Sequence, residues 1–311
     1  MNASTQNPLF IIGCPRSGTG VLHQTLRLHP DLSWITPLTN WICGKRWFRY
    51  VSIPVARSME EILLHTPNRL VPPFLRGPHD GSLQVPNLPE THEGHSIWNR
   101  FCRLDPHHGT HEGKATKEAI SELRDVVEWH LRYHDRPQFV SKAPRHALRI
   151  RFLQAVFPKA RFLHLVRDGR SVVASILTRR RTDLGSEHQW WGDKPPGWQD
   201  HLSESPVKQA GWTWKTFLET IERDTECLAE TASYTITYEA FTHHPEKTLR
   251  SVFKWADVDP SRFFGRKRSK HLSRIRPAPR KWTECLSLGQ QAELEFISPL
   301  LDKYGYEPCP G

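Results

Sequence analysis

Long apolar runs are missing from this chain. The longest, such as Leu9 to Ile12, fall far short of the roughly 20 residues a membrane-spanning helix needs. No membrane span is therefore expected. The N-terminus lacks a basic segment followed by an extended apolar one, so a secretory leader is not expected either. The first strand begins by about Pro8, which leaves little room for one. Cysteine is sparse and scattered: residues 14, 43, 102, 227, 285 and 309 form no C-x-x-C pair and no Cys/His ligand spacing. That pattern offers no metal site and favours a reduced, cytoplasmic protein. Internal repeats are absent as well.

What is present is positive charge. Across 311 residues, 43 Lys and Arg face 33 Asp and Glu, for a formal net charge of +10. The isoelectric point is about 9.5 and the mean hydropathy −0.58, the values of a soluble basic protein. Such a balance favours anionic partners, namely phosphates, sulfates, nucleic acid or acidic glycans, without choosing among them. The length suits one large domain or two small ones.

The run 8–13 is short, apolar and closed by Gly13, which reads as a buried parallel strand. A helix follows over 18–28 and ends at His29-Pro30. Residues 31–112 break this rhythm. They are rich in Pro, Trp, His and Gly, and read as loops and short helices that cover a substrate site, with Trp34, Trp41, Trp47, Phe48, Phe74 and Trp98 as its apolar walls. Regular alternation returns afterwards. Helices are expected over 117–133, 145–157, 169–180, 207–229, 245–256 and 290–304, and strands over 138–141, 161–166 and 234–237. Strands alternating with helices imply an α/β fold, a parallel sheet flanked by helices on both faces. The basic stretch 266–281 reads as a loop.

The segment Gly13-Cys14-Pro15-Arg16-Ser17-Gly18-Thr19-Gly20 joins the first strand to the first helix. Unpaired N–H groups and the helix dipole make such a loop an anion site. Its glycine spacing follows the skeleton of a nucleotide-triphosphate loop, but Thr19 and Gly20 stand where that loop carries Lys and then Ser or Thr. A kinase or NTPase would lose both its lysine and its Mg²⁺ hydroxyl. Arg16 supplies a cation instead. Position 23 is His, so the dinucleotide-binding glycine pattern is not met either. The loop suits an anion of modest charge handled without metal, and a phosphosulfate fits.

A second motif runs from Arg161 through Arg167-Asp168-Gly169-Arg170 to Ser175 and Arg179. Arg167 stands where a buried strand runs out, at the edge where α/β folds bind ligands. Ser175 lies eight residues on, and Arg179 follows at i+4 on the same helix face. An arginine fork with a hydroxyl suits a phosphate monoester. Arg170 reads as a surface residue. Together, Cys14-Pro-Arg-Ser-Gly-Thr19 and this strand, Arg, helix, Ser pattern resemble the sulfotransferases that use 3′-phosphoadenosine 5′-phosphosulfate (PAPS). The Arg-Asp-Gly-Arg wording and the Arg at i+12 resemble the tyrosylprotein enzymes in particular.

The resemblance implies a single P-loop-like sulfotransferase domain over 1–311, with 31–112 as an irregular substrate-binding insertion. It implies that Arg16, Ser17, Gly18, Thr19 and Gly20 hold the 5′-phosphosulfate and that Arg167, Ser175 and Arg179 hold the 3′-phosphate. Lys142, in Ser141-Lys142-Ala-Pro144, resembles the family lysine that reaches the sulfuryl group. Tyr238-Glu239 followed by His244-Pro245-Glu246 resembles the segment whose Tyr lies by the adenosine. Lys281, in Arg280-Lys281-Trp282, resembles a late lysine on the nucleotide phosphates. Residues 301–308 resemble the family's terminal helix end. The likeness covers 8–30 and 138–308 and fails across 31–112.

The pattern also breaks at the base. Tyrosylprotein enzymes carry a Glu shortly after a His-Pro-Asp segment; here His29-Pro-Asp31 leads to Thr36 and Pro37. Cytosolic sulfotransferases carry a His two residues after the lysine, and here that place is Pro144. Glu93, His95 and His146 are the remaining candidates, since an acceptor hydroxyl or amine must give up its proton. Arg16 and Lys142 are the expected cations at the leaving group. The acceptor reads as a carbohydrate or other small metabolite, with glycan, lipid, phenol and peptide all open. The rival reading is a non-catalytic binder of PAPS, an anionic glycan or nucleic acid through 266–281 and 178–181, resting on charge alone.

Overall fold

The computed structural model describes residues 7–66, 70–72, 91–101, 115–265, 271–277, 282–307 and 309. Phe74, Cys102, Lys281 and most of the basic stretch 266–281 lie outside the described residues.

Strand β1 (Leu9–Ile12) is fully buried on both faces, as its unbroken apolar composition requires. Phe10 and Ile12 face one core and Leu9 and Ile11 the other. It is the middle strand of five. With β2 (Leu32–Ser33), β3 (Gln138–Lys142), β4 (Arg161–Val166) and β5 (Ser233–Thr237) the order is β2-β3-β1-β4-β5, and every pairing is parallel. The chain runs to one side of β1 for β2 and β3 and to the other for β4 and β5. The carboxyl end of β1 is therefore a topological switch point, where such sheets bind ligands.

One face is covered by α1 (Thr19–Leu26), α9 (Tyr238–His243) and α10 (Pro245–Trp255). The other carries α5 (Lys117–His134), α6 (Ile150–Val156), α7 (Gly169–Leu184) and α8 (Pro206–Thr225). Two expected helices are broken. The helix expected over 145–157 becomes a 3-10 turn over 144–148 and then α6, because Arg149 leaves the helical region at φ −141°. The terminal helix splits into α12 (Leu288–Ala292), a 3-10 turn and α13 (Ser298–Lys303), with α11 (Trp282–Cys285) ahead of it. Pro299 lacks the N–H a continuous helix would need and opens α13 instead.

The cover is more ordered than its composition suggests. It holds α2 (Pro37–Cys43), a 3-10 turn (Arg46–Tyr50), α3 (Ile53–His65) and α4 (His95–Phe101). Trp34, Phe48 and Trp98 are only 1% exposed each, so they belong to the core and do not line a cavity.

Several histidines are buried inside this frame. Burial lowers His23 and His164 to about 3 and His130 to about 4. Their unfolded value is about 6.5, so below it the unfolded chain takes up protons that the fold refuses. Stability is expected to fall as pH drops from about 6.5 towards 4, by up to about 1.4 kcal/mol per pH unit for each such histidine. Urea unfolding at graded pH checks this, and a flat stability between neutral and mildly acidic pH contradicts it.

Candidate active site

The loop after β1 is shaped by three backbone features. A Cβ at Gly13 would meet the Leu165 carbonyl oxygen at 2.6 Å, so only glycine lets β1 leave the sheet so close to β4. Arg16 has φ 73°, a left-handed conformation that turns the loop. Gly18 has φ 95°, and a Cβ there would strike the Tyr238 ring at 2.5 Å. The Ser17 N–H donates to the Cys14 carbonyl at 3.1 Å and closes the turn. What Ser17 can offer a ligand is therefore its hydroxyl, and this buried Oγ has no hydrogen-bond partner among the described residues. Thr19 and Gly20 open α1, whose first N–H groups lack intrahelical partners. A Cβ at Gly20 would meet nothing within 4 Å.

The second strand end meets this loop directly. Arg167 donates from Nη1 to the Arg16 carbonyl at 3.1 Å, and its guanidinium lies 4.4 Å over the Tyr238 ring. Its buried Nε has no partner among the described residues. Arg16 in turn donates from Nε to Ser175 Oγ at 3.1 Å. Arg16, Arg167, Ser175, Tyr238 and Gly18 are thus brought into one cluster. Trp214 holds the strand end by donating to the Arg167 carbonyl at 3.1 Å.

The four-residue wording Arg167-Asp168-Gly169-Arg170 is explained residue by residue. Asp168 caps α7 by accepting from the Arg170 N–H at 2.9 Å. Arg170 folds back on it, with Nη2 2.8 Å from Asp168 Oδ2, and lies 4.3 Å over Trp282. A Cβ at Gly169 would strike Trp214 at 2.8 Å. Arg170 is 5% exposed, which corrects the surface assignment: the structural pair is Asp168–Arg170, and Arg167 is left to the cleft. Arg179, one turn beyond Ser175 on α7, pairs with Asp183 Oδ1 at 3.4 Å and is half-buried. Arg180 is buried and bonded to Gln209 at 2.8 Å, which removes it from any solvated basic face over 178–181.

The cover delivers the remaining groups. The His92 N–H donates to the Ile35 carbonyl at 2.7 Å, and Gly94 turns the chain at φ 73°. Glu93 is thereby placed against Lys142 at the end of β3, with its Oε1 bonded to Nζ. Its Oε2 lies 3.1 Å from His95 Nε2. Burial by itself would push the Glu93 carboxyl up, but the Lys142 ammonium and the hydrogen bonds from His95 and Lys142 override it. Glu93 is held well below the usual carboxylate range. His146 is packed into the core. It is fully buried, bonded to Ser141 Oγ at 3.0 Å, packed on Phe10 and Trp98, and held neutral by burial. Thr36, at the place where the tyrosylprotein resemblance would put a Glu, instead caps α2.

One wall was not identified from the sequence. The connection 185–205 between α7 and α8 reaches back over the loop after β1. Trp191 places its ring 5.8 Å from the Arg16 guanidinium and donates from Nε1 to Asp183 at 2.9 Å. Asp193 accepts from Arg145 Nε at 2.5 Å, and Arg145 Nη1 reaches Asn99 Oδ1 at 3.4 Å. Asp193 also raises the buried Cys14 thiol, after burial itself. The density of Trp190, Trp191 and Trp198 between two well-patterned helices was the available signal.

Among the described residues there is no His/Cys/Asp/Glu group able to hold a metal ion and no helix long and apolar enough to cross a membrane. Five cysteines, 14, 43, 227, 285 and 309, are free.

Comparison with known proteins bears on the fold and the family. The model of the sulfotransferase family matches residues 8–262. Protein-tyrosine sulfotransferase A of Caenorhabditis elegans is 22% identical over 319 residues, covering 96% of this chain and 67% of that protein. Protein-tyrosine sulfotransferase 1 of Danio rerio is 24% identical over 327 residues, covering 96% and 72%. Omega-hydroxy-beta-dihydromenaquinone-9 sulfotransferase of Mycobacterium tuberculosis is 22% identical over 321 residues, covering 96% and 75%. Among solved structures, sulfotransferase STF9 from Mycobacterium avium superposes with a TM-score of 0.60 at 15% identity, covering 98% of this chain and 79% of that one. STF1 from Mycobacterium tuberculosis superposes at 0.55 with 14% identity, covering 93% and 76%. These two share the fold. With a family model spanning all five strands and the loops after β1 and β4, the chain belongs to the sulfotransferase family.

Proposed function

We propose that the cleft at the carboxyl end of β1 binds PAPS and passes its sulfuryl group to an acceptor hydroxyl. The observation that carries this is the join of two anion-binding strand ends through Arg167 and the Arg16 carbonyl, with Ser17 Oγ and Arg167 Nε buried beside each other's segments and lacking partners among the described residues. Buried polar groups of this kind are costly unless something satisfies them. A ligand carrying two separate phosphate-type anions does so.

In this reading Ser17, Gly18, Thr19 and Gly20 hold the 5′-phosphosulfate, and Arg167, Ser175 and Arg179 the 3′-phosphate. Ser175 can accept from Arg16 and still donate its own proton to phosphate. Tyr238 offers a ring face beside the nucleoside. When bound, PAPS supplies the sulfuryl group, whose bond to the phosphate oxygen breaks as the acceptor oxygen bonds sulfur. Glu93 accepts the acceptor's proton, and Lys142 and Arg16 stabilise the charge left on the phosphate oxygen. No metal is needed, because those two cations do the neutralising. The relatives named for sulfation of protein tyrosine and of an omega-hydroxy-menaquinone support a hydroxyl acceptor. The protein is read as a single catalytic domain.

The test is incubation with sulfur-labelled PAPS and a panel of glycans, phenols, lipids and peptides. Label is expected on at least one hydroxyl acceptor. Failure of the protein to bind 3′-phosphoadenosine 5′-phosphate (PAP) by calorimetry, together with no transfer, overturns the reading.

A further inference from the structure

The outer face of the cover carries an unusual surface. Among the described residues twelve large hydrophobic side chains are exposed, and half of them, Trp47, Tyr50, Val55, Met59, Ile62 and Leu64, come from 47–64. Isolated exposed apolar residues are ordinary, but a cluster is not. Val55, Met59 and Ile62 follow i, i+4, i+7 spacing and share one side of α3, where they are 56%, 37% and 66% exposed. Ile53, Ala56 and Leu63 pack inward against the core. The helix is therefore apolar on both sides. Tyr50, 89% exposed, and Trp47, edge-on to Trp41 at 5.8 Å, stand in the turn just before it.

Lys45 and Arg49 are exposed in the turn that carries Trp47 and Tyr50, and Arg49 pairs with Asp125. Arg57 lies on the other side of α3, where it donates to the Tyr133 and Arg132 carbonyls at 2.7 and 2.8 Å. Of the two acids on α3, Glu60 turns inward to Thr36 and Tyr133, which leaves Glu61 outside.

We propose that this face, Trp47 to Ile62 with Lys45 and Arg49 beside its aromatic rings, docks on an anionic lipid surface. The apolar stripe enters the acyl boundary, the Trp and Tyr rings sit at headgroup level, and the cations meet lipid phosphates. A second copy of the chain fits less well. A two-fold contact through this patch would bring two surfaces carrying the same cations, Lys45 and Arg49, together. The face is tied towards the cleft through α2: Glu60 of α3 accepts from Thr36 at the start of α2 at 2.6 Å, and Asn40 of α2 and Ser96 of α4 exchange hydrogen bonds of 3.2 and 3.1 Å three residues from Glu93. Docking would hold the acceptor entrance beside the lipid.

The test is co-sedimentation of the full chain with vesicles of phosphatidylcholine alone or phosphatidylcholine with phosphatidylglycerol at three to one. Binding is expected to the anionic vesicles, weakening as salt rises from ~0.1 M towards ~1 M. Lys45→Gln should weaken it about five-fold. The triple variant Val55→Ser, Met59→Gln, Ile62→Ser should weaken it by at least roughly ten-fold. Thermal unfolding of each variant checks that the exposed substitutions leave the fold intact. No binding to anionic vesicles, binding indifferent to the triple variant, or a solution dimer that the triple variant dissolves each overturns the proposal. Donor binding is measured separately, so failure here leaves the PAPS reading standing, and the reverse holds too.

Discussion

Replacing Glu93 with glutamine is expected to slow sulfuryl transfer by roughly 10²–10⁴-fold while leaving PAP bound at least as tightly as before. The amide keeps the size and one acceptor oxygen of the carboxylate but cannot take a proton. Glu93 stands between Lys142, which it bonds through Oε1, and His95, 3.1 Å from its Oε2. Removing its charge costs the donor nothing, since it frees the Lys142 ammonium for phosphate oxygens. A general structural defect would instead weaken PAP binding and transfer together. Single-turnover transfer of label, measured beside PAP calorimetry, separates the two. A Glu93→Gln enzyme within a few-fold of the wild-type rate would remove Glu93 from the base position. His95 is half-exposed in its side chain, so His95→Gln is expected to cost much less.

On the proposed mechanism, the electrostatics of that pair order the reaction. Before the donor binds, Lys142 neutralises Glu93 and keeps it a weak base. Once Lys142 turns to donor oxygens, Glu93 loses its strongest stabilising cation and its affinity for a proton rises. The carboxylate becomes effective when a sulfuryl group is present to be transferred. The acid limb of kcat/KM reports the free enzyme, so it should lie below the ordinary carboxylate range.

The parts of this site that could be read from sequence are those built from short contiguous segments. The phosphate loop and the Arg167 strand end each need a strand, a turn and a helix in immediate succession, and both stood out. Side chains that meet across long separations did not. Glu93 was one of three candidate bases, and nothing in its sequence neighbourhood selected it. Its contact with Lys142 depends on the Ile35 carbonyl and the left-handed turn at Gly94. His146, nearer to Lys142 in sequence, turned inward to Ser141 instead. Arg170 was misjudged because an arginine two residues after a helix cap can fold back on its own Asp168. The helices broke where single residues, Arg149 and Pro299, departed from an otherwise sound apolar period. The wall carrying Trp191 and Asp193 has no period to detect.

The second large effect belongs to Arg167. Arg167→Ala is expected to weaken PAP binding by about 2–5 kcal/mol, a loss of roughly 30- to several-thousand-fold, because it leaves a phosphate-type anion in a partly desolvated cleft without its cation. Two further features set the size. The guanidinium is held face-on to Tyr238 at 4.4 Å and by the Arg16 carbonyl at 3.1 Å, so it meets the ligand already oriented and little ordering entropy remains to be lost. It also shapes the neighbouring loop through that carbonyl, so its removal loosens Arg16 as well as the 3′-phosphate contact. Arg167→Lys tests this second point. Lysine restores the charge but cannot lie flat on Tyr238 while donating to Arg16, and it should recover only part of the lost affinity. Ser175→Ala removes one hydroxyl that accepts from Arg16, and should cost less than either arginine change. The ordering Arg167→Ala, then Arg167→Lys, then Ser175→Ala, read from PAP calorimetry, is the signature of a preformed arginine site. Equal affinities across the series would place the 3′-phosphate elsewhere on the sheet edge.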